Sequence, residues 1–181
     1  MEHASLLFKV VVYMVRSLSY IKKVYNRLRY GDIEKVLKNC DKIIEKESEI
    51  KDIVDSGTME DLDWIITKIK LIGKLEMLNK ELDDLTTEFC ASTTGVRGEA
   101  KICSKNIRGK FEEMYEHRKS VLRNYENLAD VLREQIKNRS VDKKIHLKII
   151  ESKIRPIEIK MEECYDKAKR DIRILKELRG S

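Results

Sequence analysis

Four cysteines and three histidines are the residues best suited to metal ligation or nucleophilic chemistry in this chain of 181 residues. Their spacing supports neither. Cys40, Cys90, Cys103 and Cys164 include no Cys-x-x-Cys pair of the kind that closes a structural zinc site. A carboxylate-bridged di-iron centre needs Glu-x-x-His on two helices, but Met114 stands three residues before His117 and Lys143 three before His146. The three histidines form no serine or cysteine arrangement of a nucleophilic catalyst, and no Gly-x-Ser-x-Gly elbow is present. Gly95-Val96-Arg97-Gly98 lacks the Gly-Lys-Ser/Thr ending of a phosphate-binding loop. These patterns predict a non-enzymatic protein with no metal, no cofactor and no small-molecule substrate. Three cysteines fall on helical apolar seams, where a small buried thiol is ordinary packing. Cys90 and Cys103 flank residues 91–98 at the facing ends of two antiparallel helices, a placement compatible with a disulfide. The chain is rich in Lys, Glu and Ile and has one glutamine, Gln135. That is a bias of hot-living organisms, in whose cytosol such a bond is chemically allowed.

Anion binding has two candidate places. Arg97, Lys101, Lys105, Arg108 and Lys110 stand together with only Glu99 among acids, and Lys101, Lys105 and Arg108 share a helix face by steps of four and three. Thr93, Thr94 and the backbone N–H groups of that helix start would complete a phosphate cradle. The second place is 133–155, with eight positive and three negative residues. The two lie at opposite ends of one long helix, so no compact site uses both. Such basic ends would suit nucleic acid, but Tyr115 and Tyr125 are too distant to supply a stacking platform for single strands. Within the second place, Arg139 is followed after six residues by His146, a spacing that resembles the Arg-x(4–6)-His motif of the HEPN helical-bundle ribonucleases. The resemblance covers eight positions. It implies that Arg139 and His146 would form an RNA-cleaving pair working across a dimer.

Elements that position these residues must be helical. Charged residues make up 39% of the chain and AVILMFWYC residues 41%, with seven glycines and one proline, Pro156. So little proline and glycine cannot punctuate a β-sandwich or barrel. An all-α, elongated antiparallel bundle of about five helices with coiled-coil-like seams is expected, in a single domain covering 1–181. The formal net charge of +6 hides three blocks: 1–30 carries six positive and one negative residue, 31–90 nine and sixteen, and 91–181 twenty-three and fifteen. Acidic middle against basic flanks is the expected arrangement, with leftover basic surface facing an anion.

In 1–30 apolar residues recur at Leu7, Val11, Met14, Leu18, Ile21, Tyr25 and Leu28, a stripe over three heptads with Arg16, Lys22, Lys23, Arg27 and Arg29 off the seam. Phe8, Val10, Val12, Val15 and Val24 widen it, which predicts burial of its first half on more than one side and core packing in its own bundle. The same pattern fits a helix lying on an anionic membrane or joining another protein. Residues 6–15 have no basic n-region before them and are too short to span a bilayer, so a soluble, cytoplasmic chain is expected. Gly31 should stop this helix and Asp32 cap the next, an acidic helix pair filling 31–90, with Glu47 interrupting its stripe. The third helix is expected to open at Gly57 and Thr58 and to carry Leu62, Ile65, Ile69 and Ile72 on its seam. A long basic hairpin occupies 99–179, kinked near Pro156, whose missing N–H removes the bond to Ser152. The function read from these patterns is helical interaction or assembly, by self-association or docking to another protein. An RNA- or DNA-associated protein and a peripheral membrane-associated assembly protein are the alternatives.

Overall fold

The computed structural model describes residues 2–55, 66–67 and 69–180, with side chains described from residue 15 onward except at 54 and 55. Described residues are helical apart from short connections. The elements are α1 (Glu2–Tyr30), α2 (Ile33–Asp55), α3 (Ile72–Ser92), α4 (Gly98–Lys137), α5 (Lys143–Ile149) and α6 (Arg155–Gly180). A one-turn 3-10 helix, Thr93–Gly95, joins α3 to α4, and a π-turn, Ile150–Ile154, joins α5 to α6 without interrupting the helix. At 40 residues α4 is about 60 Å long and sets the length of the bundle. The expected all-α bundle of long packed helices is what the chain forms.

Four helices close a ring. α3 packs on α2 and α4, and α6 packs on α4 and α2. Ion pairs show both neighbours of α2 to be antiparallel to it: Lys42 to Glu88 and Lys46 to Glu81 join α2 and α3, and Asp41 to Lys176 and Glu34 to Arg179 join α2 and α6. In the α2–α6 pairs, acids from the negative block meet bases from the positive one. The apolar seams of α2, α3, α4 and α6 form the core. Ile33, Val36, Leu37, Cys40, Ile43, Ile50 and Ile53 of α2 are buried against Leu75, Leu78, Leu82 and Phe89 of α3 and the stripe of α4 from Ala100 to Leu132. Phe89 and Phe111 meet edge to face with ring centroids 5.3 Å apart. Leu62, Ile65 and the expected cap Thr58 lie outside the described residues.

Two expectations change. The Ser, Thr and Gly residues of 91–98 read as a loop in the sequence, but α3 runs on to Ser92, because the hydroxyls of Ser92, Thr93 and Thr94 donate to the carbonyls of Phe89, Cys90 and Ala91 and satisfy the helix end. Near Pro156 the chain stays one continuous helix, as expected of the hairpin arm. The π-turn one turn earlier lets Arg155 N–H donate five residues back to Ile150, and this widening absorbs the lost proline donor while the seam continues through Ile154 to Cys164. The larger change is at α1. Its described side chains do not enter the core except in the last turn, where Asn26 and Tyr30 are buried.

Gly31 makes that last turn possible. Its φ of +77° lies in the left-handed region, and a Cβ there would overlap the Gly95 carbonyl oxygen. Arg97 N–H donates to the Tyr30 carbonyl at 2.9 Å, so the end of α1 is tied to the start of α4. Asp32 caps α2 as expected, its carboxylate accepting from Lys35 N–H at 3.4 Å.

Candidate functional site

The first basic place is taken apart by its own helix. Arg97, Lys101 and Lys105 are exposed, but Arg108 is bound to the Glu112 carboxylate at 2.7 Å and Lys110 to Glu113 at 2.6 Å. Thr93 and Thr94 spend their hydroxyl protons on helix carbonyls, so they are not donors to a phosphate. Lys105 and Lys110 do line an open groove of about 410 Å³ between α4 and α6, where Lys167 and Arg170 join them opposite Glu113 and Asp171. The sequence separation of α4 and α6 concealed Lys167, Arg170 and Asp171.

Arg139 and His146 are not brought to a shared accessible surface. Arg139 is exposed in a tight turn with φ of 53°, the left-handed conformation that reverses the chain. His146 is wholly buried. Gln135 explains why: its side-chain oxygen accepts from the Asp142 backbone N–H at 3.1 Å and lies 2.8 Å from His146 Nε2, clasping the turn. The backbone donor identifies that oxygen as the acceptor, so Nε2 carries the imidazole proton and Nδ1 is a bare lone pair. Nδ1 has no partner, and burial pushes the imidazole below its ordinary value, with Asp142 opposing more weakly. A neutral, enclosed imidazole is a structural group of the turn in this arrangement.

The cysteines are all free, which corrects the disulfide expected between Cys90 and Cys103. The helices meet at the right level but the two thiols face different neighbours. Cys103 Sγ donates to the Asp171 carbonyl of α6 at 3.0 Å, whereas Cys90 sits near Arg108 and Glu112. Burial pushes the Cys103 and Cys164 thiols up to about 11 and Cys40 to about 12, so none is an activated nucleophile. Among the described residues no group of His, Cys, Asp and Glu could hold a metal ion.

Mid-bundle, Glu47 of α2 and Arg118 of α4 form a buried ion pair, and Arg118 Nε donates to the Asn79 side-chain oxygen of α3 at 3.0 Å. Burial pushes Glu47 up and Arg118 down, each opposed by its partner. This network knits three helices and faces no cleft large enough for a substrate; the adjoining void is about 20 Å³.

What remains for a partner is α1. Val15, Leu18, Tyr20, Ile21, Val24, Tyr25 and Leu28 are exposed by 41% to 72%, the densest exposed apolar surface among the described residues. A helix gains its stability in water chiefly by burying such a face, so this one is built to be covered. Among the described residues no helix is long and apolar enough to cross a membrane. The chain matches no protein-family model, no curated protein and no solved structure.

Proposed function

We propose that this is a non-enzymatic interaction protein in which the four-helix ring is a rigid stand and α1 is the docking element. The exposed seam of α1 supports the reading: its apolar positions recur at the spacing of a buried stripe, yet the ring closes without them. Three buried thiols and an enclosed histidine agree with a binding role.

Removal of residues 2–22 tests it. The shortened chain keeps Asn26, Tyr30 and Gly31, the groups that join α1 to the ring. Its thermal unfolding midpoint should match that of the whole chain, while association seen by light scattering or vesicle sedimentation is lost. A fall of the midpoint by about 5 °C or more would make α1 part of the core and end the proposal.

A further inference from the structure

Charge is arranged around the apolar arc of α1 in a way that selects its partner. Successive residues of an α-helix turn by about 100°, which gathers Leu18, Tyr20, Ile21, Val24, Tyr25 and Leu28 into an arc of about 160°. Lys22 and Arg29 border one edge of that arc, and Arg16, Lys23 and Arg27 border the other. Asn26 and Tyr30 lie on the opposite face, where Asn26 donates its amide proton to the Arg179 carbonyl at 2.9 Å and turns the arc away from the ring. No acid stands between His3 and Gly31.

We infer that α1 docks on an anionic lipid surface, lying along it with the apolar arc at the acyl boundary and both cationic borders among the headgroup phosphates. This rests on the reading of α1 as the docking element. The arc is wider than the two-position seam of a coiled coil, and rows of cations on both sides match a helix embedded in an interfacial plane. Tyr20 and Tyr25 sit within it, aromatic side chains with a polar tip suited to the boundary between water and lipid. A second copy of the chain fits less well. Two α1 helices would set cations against cations with no acid to offset them. Part of the acidic block of a second copy is engaged too: Glu34, Asp41, Glu81 and Glu88 already pair with Arg179, Lys176, Lys46 and Lys42.

The test is sedimentation of the full chain with vesicles of phosphatidylcholine alone and of phosphatidylcholine mixed with phosphatidylglycerol, with light scattering of the lipid-free chain beside it. Binding to the anionic vesicles alone, weakening as salt is raised, is the expected result. The triple variant Lys22→Gln, Lys23→Gln, Arg27→Gln should bind on the order of a hundredfold more weakly, at about fivefold per cation. Leu18→Glu with Ile21→Glu should abolish binding while circular dichroism and the unfolding midpoint hold. Equal binding to both vesicle types, salt-insensitive binding, or none would overturn the lipid assignment. In the last case, concentration-dependent oligomers dissolved by Leu18→Glu and Ile21→Glu would keep α1 as a docking element and give it to a second copy. Neither vesicle binding nor association would end both readings. The salt titration of the unaltered chain decides the matter even where a variant misfolds.

Discussion

α1 and α4 carry the same kind of apolar stripe and meet opposite fates. From Ala100 to Leu132 the α4 stripe is buried, while Leu18, Ile21, Tyr25 and Leu28 of α1 face outward. The difference lies in the polar residues that accompany the stripes. The α4 seam is interrupted at Arg118, and Glu47 and Asn79 from two other helices are placed to meet it. Among its described side chains α1 has one comparable tie, Asn26 to the Arg179 carbonyl, in its last turns. Apolar periodicity shows how much surface needs cover; matched polar groups settle which surfaces the chain covers itself. The ring of α2, α3, α4 and α6 closes without the described α1 side chains before Asn26.

The contrast breaks most sharply at Arg118. Arg118→Met leaves the Glu47 carboxylate buried without its partner, and a buried charge stripped in this way costs about 3–5 kcal/mol. Urea unfolding of the ring should record that loss. Adding Glu47→Leu should recover most of it, because an apolar pair of similar size needs no solvation. If the double variant is as unstable as the single one, the network does not determine which seams are buried, and the polar account of the contrast fails.

A smaller effect belongs to the joint between the two regions. Gly31→Ala puts a methyl group against the Gly95 carbonyl and forces a side chain into left-handed backbone, with a cost of about 1–3 kcal/mol. The Arg97 bond to the Tyr30 carbonyl shares this joint, so amide exchange should quicken at Arg97 and Gly31 before it does in mid-bundle. An unfolding midpoint equal to that of the unaltered chain would mean that α1 and the ring are coupled elsewhere.

Most of the ring is legible in the sequence, because seams at steps of three and four report burial directly. Glu47 is visible as an interruption between Ile43 and Ile50, and the step from Met114 to Val121 leaves a gap at Arg118. That these two interruptions meet is not legible, since 71 residues separate them and only the registers of α2 and α4 bring them together. The Cys90 and Cys103 expectation fails for a related reason: sequence places both at one level of the hairpin, but rotation about each helix axis turns Cys103 toward Asp171. The extension of α3 through Ser92 depends on three hydroxyls bonding back to carbonyls, where a run of Ser, Thr and Gly reads as loop. For α1 the pattern was plain and the outcome was not, because a stripe carries no count of the partners available to it.

Acid should separate the two regions by the smallest of these effects. His146 is buried on α5, against the end of α4, with Nε2 bonded to Gln135 and Nδ1 unpartnered, and its folded value is depressed below the ordinary 6.5 chiefly by burial. Below about pH 6.5 the unfolded chain therefore binds a proton that the folded chain refuses, so stability falls as pH drops through that value and levels off below the folded one. Residues 15–30 of α1 contain no histidine, so the same acid finds no such group to charge there. Amide exchange at about pH 7.5 and about pH 5.5, corrected for the intrinsic rate, should show loss of protection in α5 and the turn before it and no change in α1. His146→Leu should remove the pH dependence of the unfolding midpoint over this interval, since it deletes the titrating group and leaves an apolar side chain in an apolar site. A midpoint in that variant that still falls with acid would assign the response to the carboxylates between helices, and the enclosed imidazole would cease to distinguish ring from projection.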